Sequence, residues 1–157
     1  GNLVYMRRER HSLEEIIGSA RNQLADRLRH HEVVAMLPED LPLCSIDALL
    51  MERVILNLLE NSAKFCDPGG KIVIGVELAD GTLTLSVDDN GPGFPEGQEE
   101  RLFQKFERGD KEGSASGVGL GLALVRTIAE RHGGRVWCEA RDGGGARFVV
   151  RLPRHGA

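Results

Sequence analysis

Three polar side chains recur at helical spacing within an otherwise apolar segment. Asn57, Asn61 and Lys64 stand at positions i, i+4 and i+7, so a helix places them on one face. Amide oxygens are hard, neutral ligands that suit a magnesium ion, and a lysine supplies positive charge for phosphate. A solvated helix face would show the same pattern, so this stripe alone leaves both interpretations open.

A second polar cluster follows a strongly apolar strand. Residues 88–93 read Asp-Asp-Asn-Gly-Pro-Gly, which puts carboxylates at the strand end and glycines where the backbone can approach a ligand. The apolar residues of the strand alternate, which places Asp89 on the inward face and Asp88 on the outward face. We therefore expect Asp89 to accept a hydrogen bond from an exocyclic amine, although a plain strand-ending turn also explains the motif.

Alternating glycines begin the third predicted helix. Residues 117–122 read Gly-Val-Gly-Leu-Gly-Leu, at a helix start, where free N–H groups and the helix dipole favour phosphate. The spacing differs from the dinucleotide fingerprint, and the Lys-Ser/Thr ending of a P-loop is missing. A flexible hinge of a lid is compatible with phosphate binding at this position.

Hydrophobic periodicity predicts the elements that position these groups. Helices are expected over 12–28, 47–65 and 118–132, and strands over 32–37, 71–78, 82–87, 135–140 and 147–152. Ser12 with Glu15 forms a capping box, Asp47 caps the second helix, and residues 80–81 make a two-residue hairpin turn. We expect an α+β two-layer sandwich: a mixed, mostly antiparallel sheet of about five strands on three helices, with a long mobile lid over 90–117.

Composition limits the classes of protein. The 157 residues are enough for one domain, and Lys plus Arg total 20 against 24 Asp plus Glu. The chain therefore has no basic field for nucleic acid. The three cysteines lack metal-site spacing and are expected to be reduced, and no apolar run is long enough for a membrane span, so we expect no direct membrane contact. Residues 1–11 are expected to be a linker, 12–153 the domain and 154–157 a tail.

The order of these segments resembles the ATP-binding domain shared by histidine kinases, gyrase-type topoisomerases, MutL-type repair proteins and heat-shock chaperone ATPases. The similarity covers nearly the whole chain and is strongest to potassium-responsive Kdp-type sensor kinases. The matching segments are 57–65 (N box), 89–93 (first glycine box), 102–108 (F box), 117–122 (second glycine box) and 143–148 (the small-residue turn before the last strand).

This resemblance implies ATP and Mg²⁺ as ligands and assigns the site. Asn61 would hold magnesium, and Asp89 would bind the adenine amine. The catalytic candidates are Asn57, Lys64 and Arg108, which the resemblance implies, and Glu60, which is the nearest carboxylate that could act as a base. The implied ATP-binding residues are Asn57, Asn61, Lys64, Asp89, Gly91, Gly93, Lys105, Arg108, Gly117, Val118, Gly119, Leu120, Gly121 and Leu122.

The residue at position 57 distinguishes members of the superfamily that hydrolyse ATP from members that transfer the phosphate to an acceptor. Hydrolysing members of the superfamily usually carry a glutamate there, acting as general base, whereas this chain has the amide of Asn57. An amide cannot take a proton from water, so transfer to a delivered acceptor is favoured over hydrolysis. Glu60 is the nearest substitute, but it lies about 100° around the helix from Asn61.

The resemblance also implies a phosphorylated histidine, and none of the five histidines fits its motif. His132, for example, is interpreted as a cation at a helix end. The acceptor is expected on a dimerisation hairpin of a larger parent, an integral plasma-membrane sensor that acts on a response regulator. The chain itself is expected to be a cytoplasmic monomer that binds ATP/ADP without autophosphorylation. A gyrase- or MutL-type hydrolysing ATPase, and a nucleotide-sensing or protein serine kinase module, remain alternatives.

Overall fold

The computed structural model describes residues 5–94, 97–104 and 118–154. The elements in chain order are β1 (Glu9–His11), α1 (Leu13–Gln23), α2 (Ala25–Leu28), β2 (Glu32–Met36), β3 (Cys44–Ile46), α3 (Ala48–Phe65), β4 (Lys71–Ala79), β5 (Thr82–Asp89), a short 3-10 helix (Glu100–Phe103), α4 (Val118–Arg131), β6 (Arg135–Ala140) and β7 (Ala146–Pro153). Most of the predicted lid lies outside the described residues. Within the described ranges, no helix has the length and apolar character needed to cross a membrane.

Among the described residues the main sheet has five strands in the order β2-β4-β5-β7-β6, and β2 with β4 is the one parallel pair in it. The predicted mixed, mostly antiparallel α+β arrangement is therefore confirmed. Side chains of the helices and of one sheet face, such as Ile55, Leu85 and Ile128, share a single core in which they are almost fully buried. Asp80 and Gly81 both have positive φ (52° and 74°), as the twist-matched two-residue hairpin turn requires.

A short two-stranded ribbon was not predicted. Residues 9–11, expected to be part of a linker, pair antiparallel with β3, with Glu9 opposite Ile46 and His11 opposite Cys44. Three-residue strands are too short to show a period-2 pattern, so the sequence carries little signal for them. The ordered structure thus begins before residue 12, where we placed the start of the domain.

The continuous first helix predicted over 12–28 is wrong, because the helix breaks at Leu24. Ser12 caps α1 as expected, its Oγ accepting from the Glu15 N–H at 3.1 Å. Leu24 then leaves helical geometry (φ −102°, ψ 16°) before α2 begins. Leu24 and Leu28 are both buried, so the break keeps the apolar side of each segment on the core.

His132 is buried and neutral and links two helices. Its interpretation as a cation at a helix end is therefore wrong. Its side chain is only 1% exposed. The Asp47 N–H can only donate, so Nε2 accepts from it at 3.1 Å, and Nδ1 carries the proton towards the Ile128 carbonyl at 2.9 Å. His132 therefore joins the end of α4 to the start of α3, the helix that carries the polar stripe.

We expect His132→Ala to lower the free energy of unfolding by about 2–4 kcal/mol, because it empties a buried ring site and removes the acceptor for the Asp47 N–H. Urea denaturation measures the change. His30→Ala is the control, since His30 is exposed and should cost less than about 0.5 kcal/mol. Equal losses for the two variants would contradict the connecting role of His132.

Candidate functional site

Asp89 ends β5, the central strand of the main sheet. It continues the core-facing alternation of the strand and is 4% exposed. Its Oδ1 accepts from the Gly91 N–H at 2.9 Å. Among the described residues Oδ2 has no hydrogen-bond partner. One carboxylate oxygen is thus anchored, and the other is available to a ligand donor.

Asp88 lies on the opposite face of the sheet, as the alternation predicts. Its carboxylate receives two hydrogen bonds from Arg147, at 2.9 and 2.8 Å, across the β5–β7 pair. Hydrogen bonding to Asp88 raises the pKa of Arg147. Asp89 is therefore the acid on the core-facing side of the strand, as predicted, and its part in ligand binding stays a prediction.

Gly91 and Gly93 lie where three pieces of backbone meet. A Cβ on Gly91 would come within 2.9 Å of the Phe65 carbonyl oxygen at the end of α3. Gly93 has φ +81°, and a Cβ there would lie 3.2 Å from the Gly145 carbonyl oxygen in the β6–β7 turn. These approaches form a floor, made largely of main chain, beside Asp89.

The polar stripe of α3 faces the first turns of α4. Asn57 Nδ2 donates to the Gly121 carbonyl at a long 3.4 Å, and a Cβ on Gly121 would be 3.6 Å from Asn57 Cγ. The structure thus brings the stripe and the second glycine segment together, two regions that are 64 residues apart. Lys64 is exposed and has no partner among the described residues.

The Asn61 amide oxygen is an unsatisfied acceptor. Oδ1 is buried and has no hydrogen-bond partner within the described ranges, a state that costs about 1–3 kcal/mol unless a donor or cation is supplied. The described residues contain no group of three or more His, Cys, Asp or Glu side chains that could hold a metal. A hard oxygen with few protein co-ligands suits Mg²⁺ that keeps water and phosphate oxygens, so the residues fit that ion.

The other predicted site residues are placed less centrally or are not described. Glu60 Oε2 accepts from Arg27 Nη1 of α2 at 2.7 Å, so its carboxylate is paired away from the Asn57 and Asn61 stripe. Residues 118–120 form the first turn of α4, whereas the Leu122 side chain is buried in the core. Lys105, Arg108 and Gly117 lie outside the described residues.

Two residues near the site were not predicted. Phe65 ends α3 and is 50% exposed, and its carbonyl oxygen would lie 2.9 Å from a Cβ on Gly91. Arg141, in the β6–β7 turn, donates from Nη1 to the Asp89 carbonyl at 2.7 Å. A large aromatic residue at a helix end was a sequence signal that could have identified Phe65. No comparable sequence signal marks Arg141, an arginine in a turn.

The adjoining Cys66 is a structural thiol. It is buried, and its Sγ donates weakly to Asn90 Oδ1 at 3.5 Å. Burial, with the negative charge of Asp89 as a second cause, raises the pKa of this thiol. The sulfur therefore stays protonated near neutral pH, in agreement with its predicted structural role.

Residues 46–156 match the family described as histidine kinase-, DNA gyrase B- and HSP90-like ATPases. The chain belongs to this family, as the order of its motifs indicated. It is 44% identical over 152 residues to the sensor protein KdpD of Escherichia coli K12, covering 97% of this chain and 17% of that protein. KdpD of Clostridium acetobutylicum is 34% identical over 144 residues, covering 90% and 16%. The chain therefore spans about a sixth of the length of these two relatives.

Solved structures give the same family relation. The catalytic domain of histidine kinase ThkA superposes with a TM-score of 0.83 at 26% identity, covering 95% of this chain and 97% of that one. Full-length ShkA in complex with AMPPNP gives a TM-score of 0.85 at 25% identity, covering 98% and 32%. These similarities confirm the fold class and favour a histidine kinase domain over the alternatives.

Proposed function

We propose that the chain is the Mg-ATP-binding catalytic domain of a two-component sensor histidine kinase, which transfers the γ-phosphate to a histidine on a separate dimerisation hairpin. The observation that supports this most is the available Oδ2 of Asp89 at the end of β5. Together with the unpaired Oδ1 of Asn61 on α3, it offers one acceptor for a base and one for a cation. AMPPNP, an ATP analogue, is the ligand named for ShkA.

The base would bind at Asp89 and at the main-chain floor formed by Gly91 and Gly93. Oδ2 accepts from the 6-amino group of adenine, while the Gly91 N–H keeps the carboxylate oriented through Oδ1. A charged acceptor in a nearly buried position makes this contact strong and selective for an amine.

Phosphate binding follows from the junction of α3 and α4. Free N–H groups in the first turn of α4 and the Lys64 ammonium attract the phosphates. Asn61 would hold the metal through Oδ1, and Asn57 lines the same face next to Gly121. When bound, magnesium supplies positive charge against the phosphate oxygens. Phosphoryl transfer needs mainly this positioning and charge stabilisation: the bond from the γ-phosphorus to the bridging oxygen breaks as the histidine nitrogen bonds to phosphorus.

The absence of a general base at position 57 favours transfer over hydrolysis. Asn57 cannot accept a proton from water, and the carboxylate of Glu60 is paired with Arg27. We therefore do not assign Glu60 a catalytic role and propose that the acceptor histidine must be delivered to the site. The partners are then the hairpin of the parent protein and a response regulator. A parent of the KdpD kind would carry this domain on the cytoplasmic side of a potassium-responsive membrane sensor.

We expect the chain to label a histidine in trans. It would be incubated with magnesium and γ-labelled ATP, with and without the purified dimerisation hairpin of the parent protein. Acid-labile, alkali-stable label should appear on the hairpin and not on the chain itself, and a hairpin with its acceptor histidine replaced by alanine is the control. Acid-stable label on serine would favour a serine kinase, and phosphate release without hairpin label would favour a hydrolysing ATPase.

A further inference from the structure

Arg141, in the turn between β6 and β7, binds the main chain of the residue that would recognise the base. Its Nη1 donates to the Asp89 carbonyl oxygen at 2.7 Å. Its Nε lies 3.9 Å from Asp88 Oδ2. The Arg141 guanidinium thus donates a hydrogen bond to the Asp89 main chain and also lies near the negative charge of Asp88.

The turn that carries Arg141 is itself closed and docked on Asp89. The Arg141 N–H donates to the Gly145 carbonyl at 3.2 Å, and the Gly144 N–H donates to the Arg141 carbonyl at 3.1 Å. A Cβ on Gly145 would overlap the Asp89 carbonyl oxygen, so main chain packs directly on main chain. Arg141 and Gly145 belong to the same turn, and both therefore contact the Asp89 carbonyl oxygen.

This contact falls where the sheet ladder ends. Asp89 opposite Ala146 is the last pair between β5 and β7, and the chain beyond it leaves the sheet towards Gly91. A strand end without further contacts frays more readily than the strand interior. The direction of the Asp89 carboxylate depends on this backbone, because Oδ1 is held by the N–H of Gly91 two residues on.

We propose that Arg141 is a positioning residue for base selection: it fixes the Asp89 backbone so that Oδ2 faces the 6-amino group of adenine rather than a 6-oxo group. This inference rests on the proposed function. The chain offers a matched control in Arg147, which contacts the same network through two hydrogen bonds to Asp88 and has no hydrogen bond to Asp89.

The test compares the dissociation constants of Mg-ATP and of Mg-ITP, its 6-oxo counterpart, for the wild-type chain and for Arg141→Ala, Arg141→Lys and Arg147→Ala. Arg141→Ala should weaken ATP binding about 10-fold and ITP binding less than about 2-fold, since only the amine contact depends on the Asp89 direction. Arg141→Lys keeps a charged donor and should restore most of the ATP affinity. Arg147→Ala should change both constants by less than about 2-fold.

A double-mutant cycle shows whether Arg141 acts through Asp89. In an Asp89→Asn background, Arg141→Ala should alter ATP affinity by less than about 2-fold. Equal weakening of ATP and ITP by Arg141→Ala, or an undiminished effect in that background, would overturn this inference and leave the proposed function intact. A folded wild-type chain that binds neither nucleotide would overturn the proposed function and this inference with it.

Discussion

Replacing Asp89 by asparagine is expected to weaken Mg-ATP binding about 100-fold, as measured by calorimetric titration. The new amide can keep the hydrogen bond from the Gly91 N–H through its oxygen, so the fold should be retained. Its NH₂ group would then replace Oδ2 and oppose the amine of adenine, donor against donor. Losing a hydrogen bond to a charged acceptor costs about 1.5–3 kcal/mol, and the unpaired donors add to that cost.

Asp88→Asn is the matched control for this prediction. Asp88 is the neighbouring residue of the same strand and is also buried, but its carboxylate binds Arg147 on the outer face of the sheet. Its replacement should alter ATP affinity by less than about 3-fold while lowering stability by about 1–3 kcal/mol. If Asp88→Asn weakened ATP binding as much as Asp89→Asn, the base would not be recognised by Asp89.

Asn61→Ala is expected to lower the rate of phosphotransfer to the hairpin by about 100-fold or more, because it removes the protein oxygen that would hold magnesium. The same change should leave the free energy of unfolding unchanged or raise it by about 1 kcal/mol. It removes a buried acceptor that has no partner among the described residues and places alanine, the best helix former, within α3. A functional loss with no stability loss is the pattern expected of a ligand-binding residue.

The control for this variant is Asn22→Ala on α1, where the asparagine is exposed and the rate should be unchanged. Transfer is followed with γ-labelled ATP over a range of magnesium concentrations, and stability is measured by urea denaturation. A wild-type rate for Asn61→Ala at every magnesium concentration would remove Asn61 from the metal site. A large stability loss would show instead that its amide supports α3.

Sequence patterns within a single strand or helix predicted which side chains lie on the same face of that element. The alternation along β5 placed Asp89 inward and Asp88 outward because successive side chains of a strand face opposite sides. The spacing of Asn57, Asn61 and Lys64 placed them on one face of α3 for the corresponding helical reason. The motif order then identified the family, which residues 46–156 match.

What the sequence missed are contacts between distant segments. His132 meets the Asp47 N–H across 85 residues, and Arg141 meets the Asp89 carbonyl across 52. Neither has a spacing that local periodicity can detect, because the partner is a backbone group that every residue carries. The break at Leu24 was missed for a related reason: both segments keep the helical period, and packing against the core decides their relative direction.

Nucleotide binding at Asp89 is best examined by a calorimetric titration of Mg-ATP into the wild-type chain. The proposed ATP site requires saturable binding of one nucleotide per chain, weakened when magnesium is removed and lost over the same concentration range in Asp89→Asn. No binding heat at several temperatures from a chain shown to be folded by circular dichroism, or equally tight binding by Asp89→Asn, would contradict it.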